Sequence, residues 1–153
     1  MDRTRLVTGM NRVAIVTSDL DRFIDFYTEV FELELAFEER RPGLCHAMLW
    51  VGPDCLVHAF QMADKAHVHG QPQGDGRGHL DHVALTVADA ATFAELTRRL
   101  VDRGVSDGQI TDVGAAHSVS FRDPDGMHGE IVFVVDRDLK LMHPPRPLAT
   151  TAC

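Results

Sequence analysis

Hydrophobic and polar positions alternate, then bunch at helical spacing, then alternate again, and this succession occurs twice along the chain. Residues 10–17, Met-Asn-Arg-Val-Ala-Ile-Val-Thr, are rich in β-branched side chains and predict a strand. Ser18, with Asp21 just beyond it, predicts a helix N-terminus, because a hydroxyl satisfies free amides and early acidic residues favour the helix dipole. Leu20, Phe23, Ile24, Tyr27, Val30 and Phe31 then mark one apolar stripe. Strands are predicted at 33–39, 44–51 and 54–62, with Gly52-Pro53-Asp54 as the tight connection between the last two.

Residues 63–78, glycine-rich among polar residues, read as a linker. The pattern then returns. Leu80 to Val87 predicts a strand, and Asp89 predicts a cap for a helix with Phe93, Ala94, Leu96, Leu100 and Val101 on its apolar side. Gly104 stands where a left-handed C-terminal residue belongs. Strands follow at about 108–114, 116–122 and 127–135. Val13-Ala14-Ile15-Val16 matches Val83-Ala84-Leu85-Thr86 at an offset of 70, and Phe23 matches Phe93 at the same offset. Two repeats of this length are paired modules rather than a solenoid. The expected fold is therefore α+β: two tandem βαβββ modules, 1–62 and 79–135, forming a cupped, mostly antiparallel sheet with helices outside. Residues 136–153 are expected to be a mobile or packing tail.

Asp123-Pro124-Asp125-Gly126 has the composition of a type I turn and joins two antiparallel strands. The second strand carries Glu130, followed by Ile-Val-Phe-Val-Val. A carboxylate entering so apolar a strand requires a partner. Period-2 alternation places Val83, Leu85, Val87, Ile131, Phe133 and Val135 under the helix, and His82 and Glu130 on the other face. In the first module the same logic turns Arg12, Ala14, Val16, His58 and Phe60 inward. Around His58 the strand is apolar on both faces, and a one-residue slip would put Ala59 there instead. Two imidazoles and one carboxylate, His58, His82 and Glu130, are ligands that suit a divalent first-row metal. A hydrogen-bonded structural pair of His82 and Glu130 is the alternative. Cys55 and His58 have a zinc-like spacing, but their side chains leave opposite faces of a strand. His46 and His117 fall on third strands, with nothing to select them over ordinary strand positions. His128 reads as a surface residue.

Composition narrows the function. A formal charge of −8 disfavours nucleic acid, and would suit a cationic ligand. No apolar run reaches bilayer length. Three cysteines make no disulfide framework, and no secretory signal pattern opens the sequence, so a reducing, cytoplasmic setting is expected.

Asn11-Arg12-Val13-Ala14-Ile15, Asp19-Leu20-Asp21-Arg22-Phe23, Phe26-Tyr27, Leu80-Asp81-His82-Val83-Ala84 and Asp123-Pro124-Asp125-Gly126 through Glu130 together resemble the vicinal oxygen chelate superfamily. That superfamily includes glyoxalases, extradiol dioxygenases, fosfomycin-resistance enzymes and bleomycin-resistance proteins. The resemblance spans about residues 10–135 and places the family's four metal positions on Arg12, His58, His82 and Glu130. It implies one divalent ion per site (Fe, Zn, Ni or Mn) and a small oxygen-bearing substrate held by Lewis-acid chelation. It also implies a homodimer, with modules paired in one chain or swapped between two. Lyase or isomerase chemistry and extradiol-type ring cleavage both fall within it. Arg12 departs from the pattern, since a guanidinium has no lone pair to give a metal. One outcome keeps a three-ligand site on His58, His82 and Glu130, with Glu130 serving catalysis as a ligand and Arg12 binding an anionic substrate. The other loses the metal and pairs Arg12 with Glu130, as a metal-free small-molecule or antibiotic-binding protein. A partner-binding module with a vestigial cavity is a third reading.

Overall fold

The computed structural model describes residues 6, 7, 9–63 and 80–148 of the chain. The expected linker therefore lies almost wholly outside the described residues. The chain divides into two compact units, Met1–Gln71 and Pro72–Cys153. Both are βαβββ modules of an α+β fold, with one helix against one face of a mostly antiparallel sheet.

In the first unit, β1 (Arg12–Val16), α1 (Leu20–Phe31), β2 (Glu34–Arg41), β3 (Leu44–Gly52) and β4 (Cys55–Met62) follow one another. The sheet order is β1-β4-β3-β2, with β1 parallel to β4 and the other pairs antiparallel. The helix cap is Asp19 rather than Ser18. Asp19 has the extended backbone of a cap, its side chain accepts from the Arg22 amide, and its carbonyl accepts from Phe23 N. The Ser18 hydroxyl instead accepts from the Arg22 guanidinium at 3.0 Å. Helix α1 buries Leu20, Phe23, Phe26, Tyr27 and Val30, and it packs on β3 and β4. Ala47 and Ala59 are fully buried beside Leu49 and Val57. Their small side chains let the helix approach, while Leu20 and Phe23 each contribute about 1.5–3 kcal/mol of burial.

The second unit runs β5 (Val83–Val87), α2 (Ala90–Asp102), β6 (Ile110–Asp112), β7 (Ala116–Arg122), β8 (His128–Val134) and β9 (Arg146–Pro147), in sheet order β5-β8-β7-β6-β9. Asp89 caps α2 through the Thr92 amide at 2.7 Å. At the other end Gly104 has φ +69°, its amide reaches Val101 O, and Val105 N reaches Leu100 O. These are the two bonds of a Schellman ending, and they satisfy carbonyls the helix leaves unpaired. Asp123 closes the β7–β8 turn: one carboxylate oxygen accepts from the amides of Asp125 and Met127, at 2.9 and 2.8 Å. Ile131 is fully buried, whereas Val135 lies past the end of β8 and is exposed.

The described part of the tail packs on the second sheet. β9 joins the sheet beside β6, pairing Arg146 with Asp112, and Leu148 N reaches Ile110 O at 2.9 Å. Asp112 anchors it: its carboxylate accepts from Gly114 N at 2.7 Å and from the Arg146 guanidinium at 3.0 Å. No strand signal marks this segment in the sequence, because two residues ending in proline carry no periodicity. Gly114 makes room for the tail: its φ is +81°, and an added Cβ would fall 1.9 Å from Leu141 O. Gly104 has a similar φ but open space around it. Gly104→Ala should cost roughly 1–2 kcal/mol, the left-handed penalty alone. Gly114→Ala should cost more than that and free the tail. Urea unfolding of both variants, with limited proteolysis of the C-terminal segment, measures the difference.

Candidate functional site

Each unit carries its candidate site residues on the sheet face opposite the helix. In the first unit β1 pairs with β4 so that Ala14 stands opposite His58. That register puts His58 on the helix-free face with Arg12, Ala14 and Val16, and buries Ala59 under the helix. The slipped alternative does not occur, because it would drive an imidazole into the space that the two alanines leave for α1. His58 is only 5% exposed, and its ring lies 3.9 Å from that of Phe60. Arg12 is exposed, and its Nη1 donates to Asn11 Oδ1 at 2.9 Å.

His58 has a partner that the sequence left unselected. Its Nε2 lies 3.0 Å from His46 Nδ1, and His46 Nε2 lies 2.8 Å from Glu39 Oε2. The hydrogen bond from His46 and the charge of Arg41 hold the Glu39 carboxyl below its ordinary value, so it is an ionised acceptor. A neutral His46 therefore carries its proton on Nε2 and offers the Nδ1 lone pair to His58 Nε2–H. Among the described residues His58 Nδ1 is buried and has no hydrogen-bond partner. Burial, then the neighbouring His46 and Arg12 charges, push the His58 pKa down, so this ring is neutral near pH 7. A signal for Glu39 and His46 was present in the sequence. Pro42-Gly43 makes a two-residue turn, and counting outward pairs Arg41 with Leu44 and Glu39 with His46.

The second unit repeats the placement with different donors. Ala84 stands opposite Glu130, as Ala14 stands opposite His58. Ser120 Oγ donates to Glu130 Oε1 at 3.4 Å. His82, just before β5, brings Nε2 to 3.9 Å from Glu130 Oε2, while its Nδ1 bonds Asp81 Oδ1 at 2.6 Å. That bond holds the Asp81 carboxyl below its ordinary value. With the proton on Nδ1, His82 turns a lone pair toward a carboxylate, which is the donor chemistry of a divalent-metal ligand pair. His128, read from sequence as a surface residue, approaches the same place. Donor atoms of Asp81, His82 and His128 lie within 4.8 Å of one another. So His82 and Glu130 meet in one unit, and Arg12 and His58 share a face in the other; of these side chains all but Arg12 have a lone pair to give a metal.

Comparison with known proteins agrees with this architecture. The family model for the Glyoxalase/Bleomycin resistance protein/Dioxygenase superfamily matches residues 9–131. A lactoylglutathione lyase of Salmonella typhimurium is 27% identical over 134 residues, covering 86% of this chain and 94% of that protein. Lactoylglutathione lyase GLX1 of Arabidopsis thaliana is 28% identical over 116 residues; the match takes in 74% of this chain and only 40% of that longer protein. Among solved structures, a glyoxylase/bleomycin resistance protein/dioxygenase domain from Frankia sp. superposes with a TM-score of 0.70 at 19% identity, covering 84% of this chain and 98% of that one. The fosfomycin resistance protein FosX of Mesorhizobium loti gives 0.58 at 19% identity, covering 82% and 91%. Among the described residues, no helix is long and apolar enough to cross a membrane.

The depressed His58 pKa sets a pH dependence. The unfolded ring titrates near pH ~6.5 and the folded ring lower, so the unfolded state takes up a proton first as pH falls. Stability from this group is complete above about pH 6.5 and is lost as pH falls through the folded pKa. NMR titration of His58 should give a midpoint below that of a free imidazole. The fall in urea stability from pH 7 to 5 should be shallower in His58→Gln.

Proposed function

Since the chain belongs to the Glyoxalase/Bleomycin resistance protein/Dioxygenase superfamily, we propose that it is a metal-dependent enzyme acting on a small oxygen-bearing substrate. The observation that carries this reading is the facing of His82 Nε2 and Glu130 Oε2, with Asp81 behind the imidazole. In this proposal His82, Glu130 and His58 hold a divalent ion (Fe, Zn, Ni or Mn). When bound, such an ion chelates neighbouring substrate oxygens and stabilises the negative charge that develops on them.

The chain's own residues have separate tasks. Asp81 accepts the His82 Nδ1 proton and so keeps the Nε2 lone pair available. Ser120 donates to one Glu130 oxygen and leaves the other toward His82. Arg12 offers an exposed, permanently charged fork that suits a carboxylate or phenolate on the substrate. The names of the curated relatives favour lyase or isomerase chemistry over ring cleavage, and make lactoylglutathione the first compound to assay. A homodimer is part of the proposal.

Elemental analysis of untagged protein, purified without added metal, tests this directly. The expected result is about one ion per chain, lost in His82→Ala. Arg12→Ala should retain the ion and raise KM for an anionic substrate by roughly tenfold or more, the loss of one charge-assisted hydrogen bond. No ion, even after incubation with several divalent metals, would sink the enzyme reading. It would leave a metal-free binder, for which Arg12 and the net charge of −8 already speak.

A further inference from the structure

Arg12 leaves the first unit one ligand short of the family's pattern, and the geometry on the same face supplies a replacement. We propose that His46 is a metal ligand alongside His58, with Glu39 as the carboxylate that orients it. This rests on the metal-dependent reading above and adds His46 to the donors of the first unit.

Three features of the first unit support it. Two nitrogens bound to one ion at about 2.0–2.1 Å stand about 2.9–3.4 Å apart, for bond angles between square and tetrahedral. His46 Nδ1 and His58 Nε2 are 3.0 Å apart and face each other. Glu39 occupies the far nitrogen of His46 at 2.8 Å, the arrangement that ligating histidines commonly adopt, and the same one Asp81 makes with His82 in the second unit. The rings are also held in place. His46 stacks on Phe60 with planes 10° apart, and the ring of Phe37 lies 5.3 Å away. Without an ion, one proton on His58 Nε2 bridges the two nitrogens.

When His58 Nε2 becomes a donor to the ion, its proton leaves and the ring takes one up at Nδ1. Both rings stay neutral, and no proton is released overall. A neutral pair of imidazoles is what a divalent cation requires.

The experiment is a zinc titration of the full chain, followed by long-range 1H–15N NMR of the imidazole nitrogens and by competition with a chromophoric chelator. At one equivalent, the resonances of His46 Nδ1 and His58 Nε2 should both shift, and the His58 proton should move to Nδ1. His46→Phe keeps the stacking on Phe60 and removes the donor; it should lower zinc affinity about 100-fold or more. Glu39→Gln, at a half-buried position, should lower it by about 10–100-fold with the fold unchanged by circular dichroism. His82→Ala separates this inference from its premise. If zinc binding is lost in His82→Ala but is unchanged in His46→Phe, with His46 nitrogens unmoved in the wild type, the His46 assignment is overturned and the enzyme reading stands. If the wild type binds no zinc, both are overturned.

Discussion

The pairing of Ala14 with His58, and of Ala84 with Glu130, decides what each unit can present. Side chains alternate along a strand, so one register step would exchange every donor for a core residue. The helices hold that register. Ala47 and Ala59 in the first unit leave just the room that α1 occupies, and Ile131 fills the matching place in the second. Both donor faces follow from cores that themselves contain no chemistry.

Given that scaffold, the two units differ in what they place at equivalent points. His58 answers to Glu130 and Met48 to Ser120, each pair holding the same register in its own sheet, and Arg12 and His82 each stand two residues before the paired alanine. A carboxylate accepts without further arrangement, as Glu130 does from Ser120. An imidazole has two nitrogens and must have its tautomer chosen for it. Each unit does this with an acidic residue from a different origin: Asp81 is the chain neighbour of His82, whereas Glu39 reaches His46 across a hairpin.

Much of this was legible in the sequence, where local rules apply. Strand alternation located the faces of Arg12 and Glu130, and cap chemistry located Asp89 and Gly104, because each signal lies within a few residues of its effect. Ser18 and Asp19 are short polar neighbours that offer the same capping chemistry, and only the extended backbone at Asp19 separates them. His58 needed its neighbour strand to settle its face. His46 needed more: its significance lies in atoms of Glu39 and His58, and strand periodicity says nothing about which side chains on a face touch. The short strand at Arg146 was invisible for a different reason, as its position is set by Asp112 thirty-four residues earlier.

The docked tail bears on how the protein stays dispersed. A sheet that ends on an unpaired strand offers its backbone to any neighbouring chain. In its own sheet β2 is an end strand, guarded by Glu38, Glu39, Arg40 and Arg41, with Arg40 engaging both Glu38 and Asp21. β6 has no such row of charges. β9 covers it instead with two residues, one of them proline, which offers no amide to a further strand. A chain cut before Arg146 would keep its donor residues and lose this cover, so that its failure would show first as self-association and poor solubility.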